Sequence, residues 1–297
     1  MLRQRLPPLP LLLNLEPDEV KMKRCAWAAV RPGSGSPGQH ADVNGDVRPP
    51  DGGNPKVYIH ELIDVIGHGR GRYMQHMTAN WCPVAREERD QLCLGVWATL
   101  GSTGAWPQVV NMWELDGWEG LAANFAHETA GGRDQDPSLA EWWAVAASLR
   151  RGGFDRIVVP TPWTRSVEQL CADGVRGEVY AHELYSVAPG AAGDLLDAVG
   201  DRGRADVEAL GAAAVGAYEV VMGDRSEAIV IWAIPDWAAW ASFERAWEPG
   251  GALEDWSRVL RDMDARWRRQ LMVDAPLSPL RTGRQPQESD RRPLDEL

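Results

Sequence analysis

The sequence predicts an α+β protein: two tandem β-α-β-β-α-β units whose antiparallel sheets face each other as a barrel closed within one chain. Three observations carry this. VYIHEL at Val57–Leu62 returns as VYAHEL at Val179–Leu184, 122 positions later (182 − 60 for the two histidines). The echo then continues in order. Gly95-Val96-Trp97 matches Gly216-Ala217-Tyr218, Trp113 and Trp118 match Trp232 and Trp237, and Leu139, Trp142, Val159 and Pro162 match Leu253, Trp256, Val273 and Pro276. The offset falls to 121 (218 − 97), 119 (232 − 113) and 114 (256 − 142), in steps that fall between elements. Loop-length differences inside a repeated unit produce that staircase. Finally, each copy runs through the same succession of strand and helix patterns.

In the first copy, VYIHELIDV is a β-branched strand, and a turn then leads into a helical stretch to about Gln91. LCLGVWATL and VVNMWELD form two strands joined by a short Gly/Pro loop, a hairpin signal. A helix is expected over Trp118–Thr129, then a second with Leu139, Trp142, Trp143, Ala146 and Leu149 on one face. RIVVP closes the unit as a fourth strand. The second copy predicts strands over 178–187, 213–222 and 227–234, with helices over 191–210, 237–247 and 252–271. The last helix is drawn from Leu253, Trp256, Leu260, Met263, Trp267 and Leu271 at spacings of three and four, which leaves a short closing strand near 272–275. This element order is that of the ferredoxin-like unit. The sheet face left bare by the helices is covered most simply by the sister sheet, with a lumen between them.

The organisation follows from composition. Residues 1–55 are a disordered extension by their Pro/Gly/Asp content, with Met22 available as an alternative start. The first repeat spans 56–165, a linker 166–177, the second repeat 178–280, and a disordered tail 281–297. An apolar fraction of 44% and a charged fraction of 25% are those of a globular protein. A net charge of −12 disfavours nucleic-acid partners. No apolar run approaches the ~20 residues of a membrane span, and the prolines of MLRQRLPPLPLLLNL argue against a signal peptide. Cys25, Cys82, Cys93 and Cys171 show no framework or ligand spacing, so reduced thiols in a cytoplasmic protein are expected. Fifteen Trp against three Phe suit either a core or the wall of a ligand site.

The stretch VYIHEL…GVWATLGSTGAWPQVVNMWELDGWEGL resembles the NIPSNAP-like branch of the dimeric α/β-barrel superfamily. The residues that carry the likeness are Gly95, Trp97, Gln108-Val109-Val110, Trp113-Glu114 and Asp116. It covers about 56–165 well and 178–280 more loosely, where Ala233 stands for Glu114 and Gln108 has no clear counterpart. The broader superfamily includes cofactor-free monooxygenases, polyketide cyclases, haem-handling proteins and proteins without known activity. The resemblance therefore implies a cleft, between sheet and helices or inside the barrel, and not a mechanism.

Strand alternation sets Tyr58, His60, Leu62 and Asp64 against Val57, Ile59, Glu61, Ile63 and Val65, and sorts the second copy the same way. The Val/Ile face belongs under the helices, so His60 and His182, each two residues after a tyrosine (Tyr58, Tyr180), are expected to face the lumen. A desolvated imidazole can move a proton near neutral pH, and it can equally serve as a bonded strut. Glu61 and Glu183 fall on the helix side and are expected to pair with arginines such as Arg70 or Arg72. Asn111 breaks the symmetry, because its counterpart is Val230. The candidate catalytic set is thus His60, Asn111 and Tyr58. Trp97, Trp113, Trp232, Tyr218, Tyr180, His182 and Arg70 are the candidate substrate contacts. No metal or cofactor is expected: adjacent His60 and Glu61 point to opposite faces, and GHGRGRY lacks the third glycine of a phosphate-binding turn. The leading expectation is acid/base chemistry on an apolar aromatic, polyketide-like or acyl substrate. The alternatives are a non-catalytic binder of a hydrophobic metabolite or partner, and a lumen packed shut by indoles. The outer helix faces leave room for a homodimer.

Overall fold

The computed structural model describes residues 53–130 and 136–293. Most of the expected N-terminal extension lies outside the described residues. The first half contains β1 (Val57–Val65), α1 (Arg70–Gln75), a π-helical turn over His76–Trp81, α2 (Cys82–Arg89), β2 (Leu92–Thr99), β3 (Gln108–Leu115), α3 (Gly117–Glu128), α4 (Pro137–Leu149) and β4 (Arg150–Pro160). After α5 (Val167–Ala172), the second half repeats the order. It comprises β5 (Val179–Ser186), α6 (Ala192–Ala198), α7 (Arg204–Glu208), β6 (Ala213–Val220), β7 (Glu227–Ile234), α8 (Trp237–Ala246), α9 (Glu254–Asp262) and β8 (Arg266–Asp274).

The eight strands close in the order β1-β3-β2-β8-β5-β7-β6-β4. Each half is therefore a four-stranded ferredoxin-like sheet, with the first strand between the third and the fourth. The halves are stitched along two short antiparallel seams, Trp97–Thr99 against Asp274–Met272 and Val158–Pro160 against Val220–Tyr218. The sheets thus share hydrogen bonds as well as facing each other, which removes both open edges along those stretches.

Three apolar clusters fill the spaces this creates. One lies under the first half's helices (Ile63, Tyr73, Trp113, Trp142 among others) and one under the second's (Tyr185, Trp232, Phe243, Trp256). The third is the lumen itself, with Tyr58, Leu62, Trp97, Met112, Tyr180, Tyr218, Ile231 and Met272. The lumen is packed, not hollow: Tyr58, Trp97, Tyr180 and Tyr218 are each 0% exposed. Its stopper is mixed, because tyrosines, methionines and aliphatics share the space with the indole of Trp97.

Three expectations are corrected. The predicted helix over 252–271 stops at Asp262, and 266–274 is strand. Asp264 adopts φ 50°, a left-handed turn that ends the helical run, so the three/four spacing carried through Trp267 and Leu271 was coincidental. The linker contains α5, started by a capping box between Ser166 and Gln169; its Val167 and Leu170 belong to the lumen cluster. Residues 281–293, expected to be tail, continue from α10 (Pro279–Thr282) along the first half. There the Gln285 amide accepts from Cys93 N at 3.0 Å and donates to Cys93 O at 2.7 Å, as a strand neighbour would. Among the described residues no helix is long and apolar enough to cross a membrane.

Candidate functional site

Inside the barrel, β1 and β5 bring His60 and His182 together at the centre. Their Nε2 atoms lie 2.9 Å apart, the rings are parallel to within 2°, and both are 0% exposed. One ring donates and the other accepts. Burial first, then His182 and Arg156, hold His60 well below the usual imidazole range; burial, then Arg156 and Arg268, pull His182 down to about 3. Both rings are therefore neutral at ordinary pH. His182 Nδ1 lies 3.1 Å from Gln270 Nε2. With that amide donating, His182 donates through Nε2 to His60, whose Nδ1 then bears a proton with no acceptor. His60 Nδ1 is indeed without a partner, as is Nη1 of Arg156, its cross-strand neighbour.

One end of the lumen, where β1 and β5 begin and β3 and β8 finish, holds two buried carboxyls beside aromatic rings. On the first half's side Tyr58 donates to Glu114 Oε2 at 2.7 Å, and Glu114 also accepts from Val167 N at 2.8 Å. Asn54 donates to the Tyr58 hydroxyl, and the Tyr218 ring stands edge-on to it at 5.0 Å. Burial raises the Glu114 carboxyl. Across the same end, on β8, burial pushes Asp274 up to about 6, against the lowering influence of Tyr180, Ser278, Arg281 and Trp97.

The expected catalytic set does not converge. His60 and Tyr58 point into the sealed lumen, whereas Asn111 lies on the opposite sheet face with Trp113. Its Nδ2 donates to Glu61 Oε2 at 2.8 Å and to the Tyr73 hydroxyl at 3.1 Å. Among the expected substrate contacts, Trp97, Tyr180, His182 and Tyr218 are lumen packing, while Trp113 and Trp232 lie under the helices. Arg70 is tied to the Thr99 carbonyl at 2.7 Å and does not reach Glu61.

What remains as a reactive arrangement is the helix-side face of the first half. Trp113 Nε1 adds a second donor to Glu61, at 3.1 Å. Burial, reinforced by the facing Asp155, raises the Glu61 carboxyl; the Asn111 and Trp113 bonds and the more distant Arg150 only partly offset this. No ion pair to Glu61 occurs among the described residues. Glu61 is nonetheless only partly buried, as are Ile59, Ile157 and Val159 beside it, and Asp155 is exposed. This face is therefore reachable, and the lumen is not. The alternation of VYIHELIDV placed Glu61 on this face; that it would lack an arginine was hidden, because its cross-strand partner, Asp155, lies 94 residues away (155 − 61).

No family model matches the chain, and no curated protein is similar to it in sequence. Solved structures do match. An anthrone oxidase-like protein superposes with a TM-score of 0.50 at 12% identity, covering 74% of this chain and 92% of that one. Its strands and those described above share one architecture. What the two share is the fold, an α/β barrel. Other α/β-barrel matches are a NIPSNAP-like domain protein from Burkholderia xenovorans (18% identity, 38% of this chain and 90% of that one, TM-score 0.32) and a chlorite dismutase variant from Candidatus Nitrospira defluvii (12% identity, 74% and 92%, TM-score 0.42).

Proposed function

We propose that this α/β-barrel chain is a small-molecule enzyme that moves a proton with Glu61, on the helix side of its first half. The supporting observation is a carboxyl with raised proton affinity that is held by Asn111 and Trp113, makes no ion pair among the described residues, and lies on a partly open face. A carboxylate in that setting is a stronger base than one in water. The buried Tyr73 hydroxyl accepts from Asn111 and so fixes the amide that holds Glu61. The partly exposed apolar residues beside it are Ile59, Ile157 and Val159, which fits a ring-bearing carbon acid laid over this face. In the forward step Glu61 takes a proton from carbon, leaving the electron pair delocalised onto the substrate's own carbonyl oxygen, while the two N–H bonds of Asn111 hold Glu61 and Tyr73 in place. No co-reactant is needed for that step. His60 and Tyr58 serve as the packed floor beneath.

Anthrone is a suitable first probe, being an apolar three-ring ketone with an acidic benzylic C–H. In heavy water the folded chain should speed deuterium incorporation at that carbon. Glu61→Gln should remove about 100-fold or more of the acceleration, and Asn111→Val about 10-fold. Equal rates for wild type and Glu61→Gln would overturn the assignment. Recovery of bound but unexchanged anthrone would favour a non-catalytic binder.

A further inference from the structure

A second site lies at one mouth of the barrel, where β4, β8 and the β6–β7 turn meet. Two adjoining clefts share Arg156 and Glu227 there. One, of about 320 Å³, is lined by Arg156, Arg266, Arg268, Leu184 and Trp267. The other, of about 470 Å³, is lined by Phe154, Met222, Val220 and Ile157, with Asp155 and Asp224 at its rim. Strand alternation builds the first. In β8, Arg266, Arg268, Gln270 and Met272 sit directly opposite Ser186, Leu184, His182 and Tyr180 of β5, so they share the lumen face. Arg269, pointing the other way, is consumed by Glu183 and Glu244.

The mouth therefore gathers three guanidinium groups against one carboxylate. Arg156 spends its Nε on Glu227 at 3.0 Å, and its buried Nη1 has no partner. Arg266 and Arg268 are exposed and form no ion pair among the described residues. In a chain of net charge −12 such a cluster is conspicuous. It is also one-sided: the positions equivalent to Arg266, Arg268 and Arg156 in the opposite half, at the offset of 114 (256 − 142), are Gly152, Phe154 and Gln270. The repeat itself does not require it. Beside the arginines, Phe154 (58% exposed) and Met222 (79%) present apolar surface to water, flanked by acids that repel a negative charge.

We infer that this mouth binds an amphipathic organic anion, its carboxylate or sulfonate on Arg156, Arg266 and Arg268 and its apolar body over Phe154 and Met222. Guanidinium forks suit planar, charged oxygen pairs, and the adjacent apolar strip takes a chain or ring of matching length. The arginines lie on the lumen face of β4 and β8, opposite the helix-side face that carries Glu61, and the site does not depend on the proton-transfer reading.

The test uses two fluorescent probes of similar shape, anionic 8-anilinonaphthalene-1-sulfonate and neutral N-phenyl-1-naphthylamine, titrated against the full chain. Saturable binding of the anion, at least about tenfold tighter than the neutral probe, is expected. The double variant R266Q/R268Q should weaken the anion about tenfold or more and leave the neutral probe unchanged; both arginines are exposed, so folding should survive. Met222→Ser should weaken both probes. Glu61→Gln should bind the anion normally, which separates this site from the proposed catalytic one. Equal affinity for the two probes, or an anion affinity untouched by R266Q/R268Q, would refute the inference.

Discussion

The helix-side faces of β1 and β5 start from nearly identical letters and end in opposite chemical states. On β5, Glu183 is 1% exposed and accepts from Tyr185, Trp232 and Arg269, the last at 2.6 Å. Arg269 is itself sandwiched by Phe243, Trp247 and Trp267, its carbon 4.5–4.9 Å from each ring centre, and bonded to Glu244. Every charge there is answered. On β1 the cross-strand neighbour of Glu61 is Asp155 where Glu183 has Arg269. The bond that Arg269 would make is replaced by the amide of Asn111, at the position of Val230. One half is a neutralised structural lock; the other holds a carboxyl biased toward its protonated form. Two substitutions far apart in sequence are enough to make that difference.

The comparison breaks most visibly if the lock is opened. Arg269→Met leaves Glu183 buried without its cation and should cost about 3–5 kcal/mol in urea unfolding. Asp155→Met, at the matching register but exposed, should change stability by less than about 0.5 kcal/mol. Equal costs would mean the two faces are alike after all.

Two buried lumen groups with opposite shifts carry the comparison to pH. Asp274 has its folded pKa raised from 3.8 to about 6. The unfolded chain ionises first, so this group's contribution is lost as pH rises across that window. His182 acts in the opposite sense. Its folded value of about 3 lies below 6.5, so stability is lost as pH falls through that range. Asp274→Asn should therefore gain on wild type between about pH 4 and 6, by up to about 3 kcal/mol, and should then show a steeper acid loss of its own. Urea midpoints across pH would read both trends, and parallel curves for the two proteins would contradict them.

Within the first half, Asn111→Val copies the second half's residue without its arginine. It should cost about 1–2 kcal/mol by leaving Glu61 short of a donor. Asp155→Arg supplies the cation instead. It should stabilise by at most about 1 kcal/mol at neutral pH, because the position is exposed, while suppressing any proton transfer by Glu61. Full activity in the Asp155→Arg variant would show that the raised proton affinity is not what matters.

Much of this was legible from residues alone. The ordered echo gave two units, and alternation in VYIHEL and VYAHEL assigned the histidines to the lumen and the glutamates to the helices. The substitution of Asn111 for Val230 marked the first half as the different one. The end of α9 was missed because Met263, Trp267 and Leu271 satisfy a helical spacing and a strand spacing on either side of Asp264. That turn depends on one residue's left-handed backbone, which hydrophobic periodicity does not encode.

Local spacing and alternation, properties of neighbouring residues, thus determined the repeat, the strand faces and the fold class. Only the closed barrel decided that His60 meets His182, that Glu61 faces Asp155 while Glu183 faces Arg269, and that three arginines share one mouth. Those pairings join strands far apart in the chain, and their register is set by the barrel's seams and the bulk of what fills its lumen.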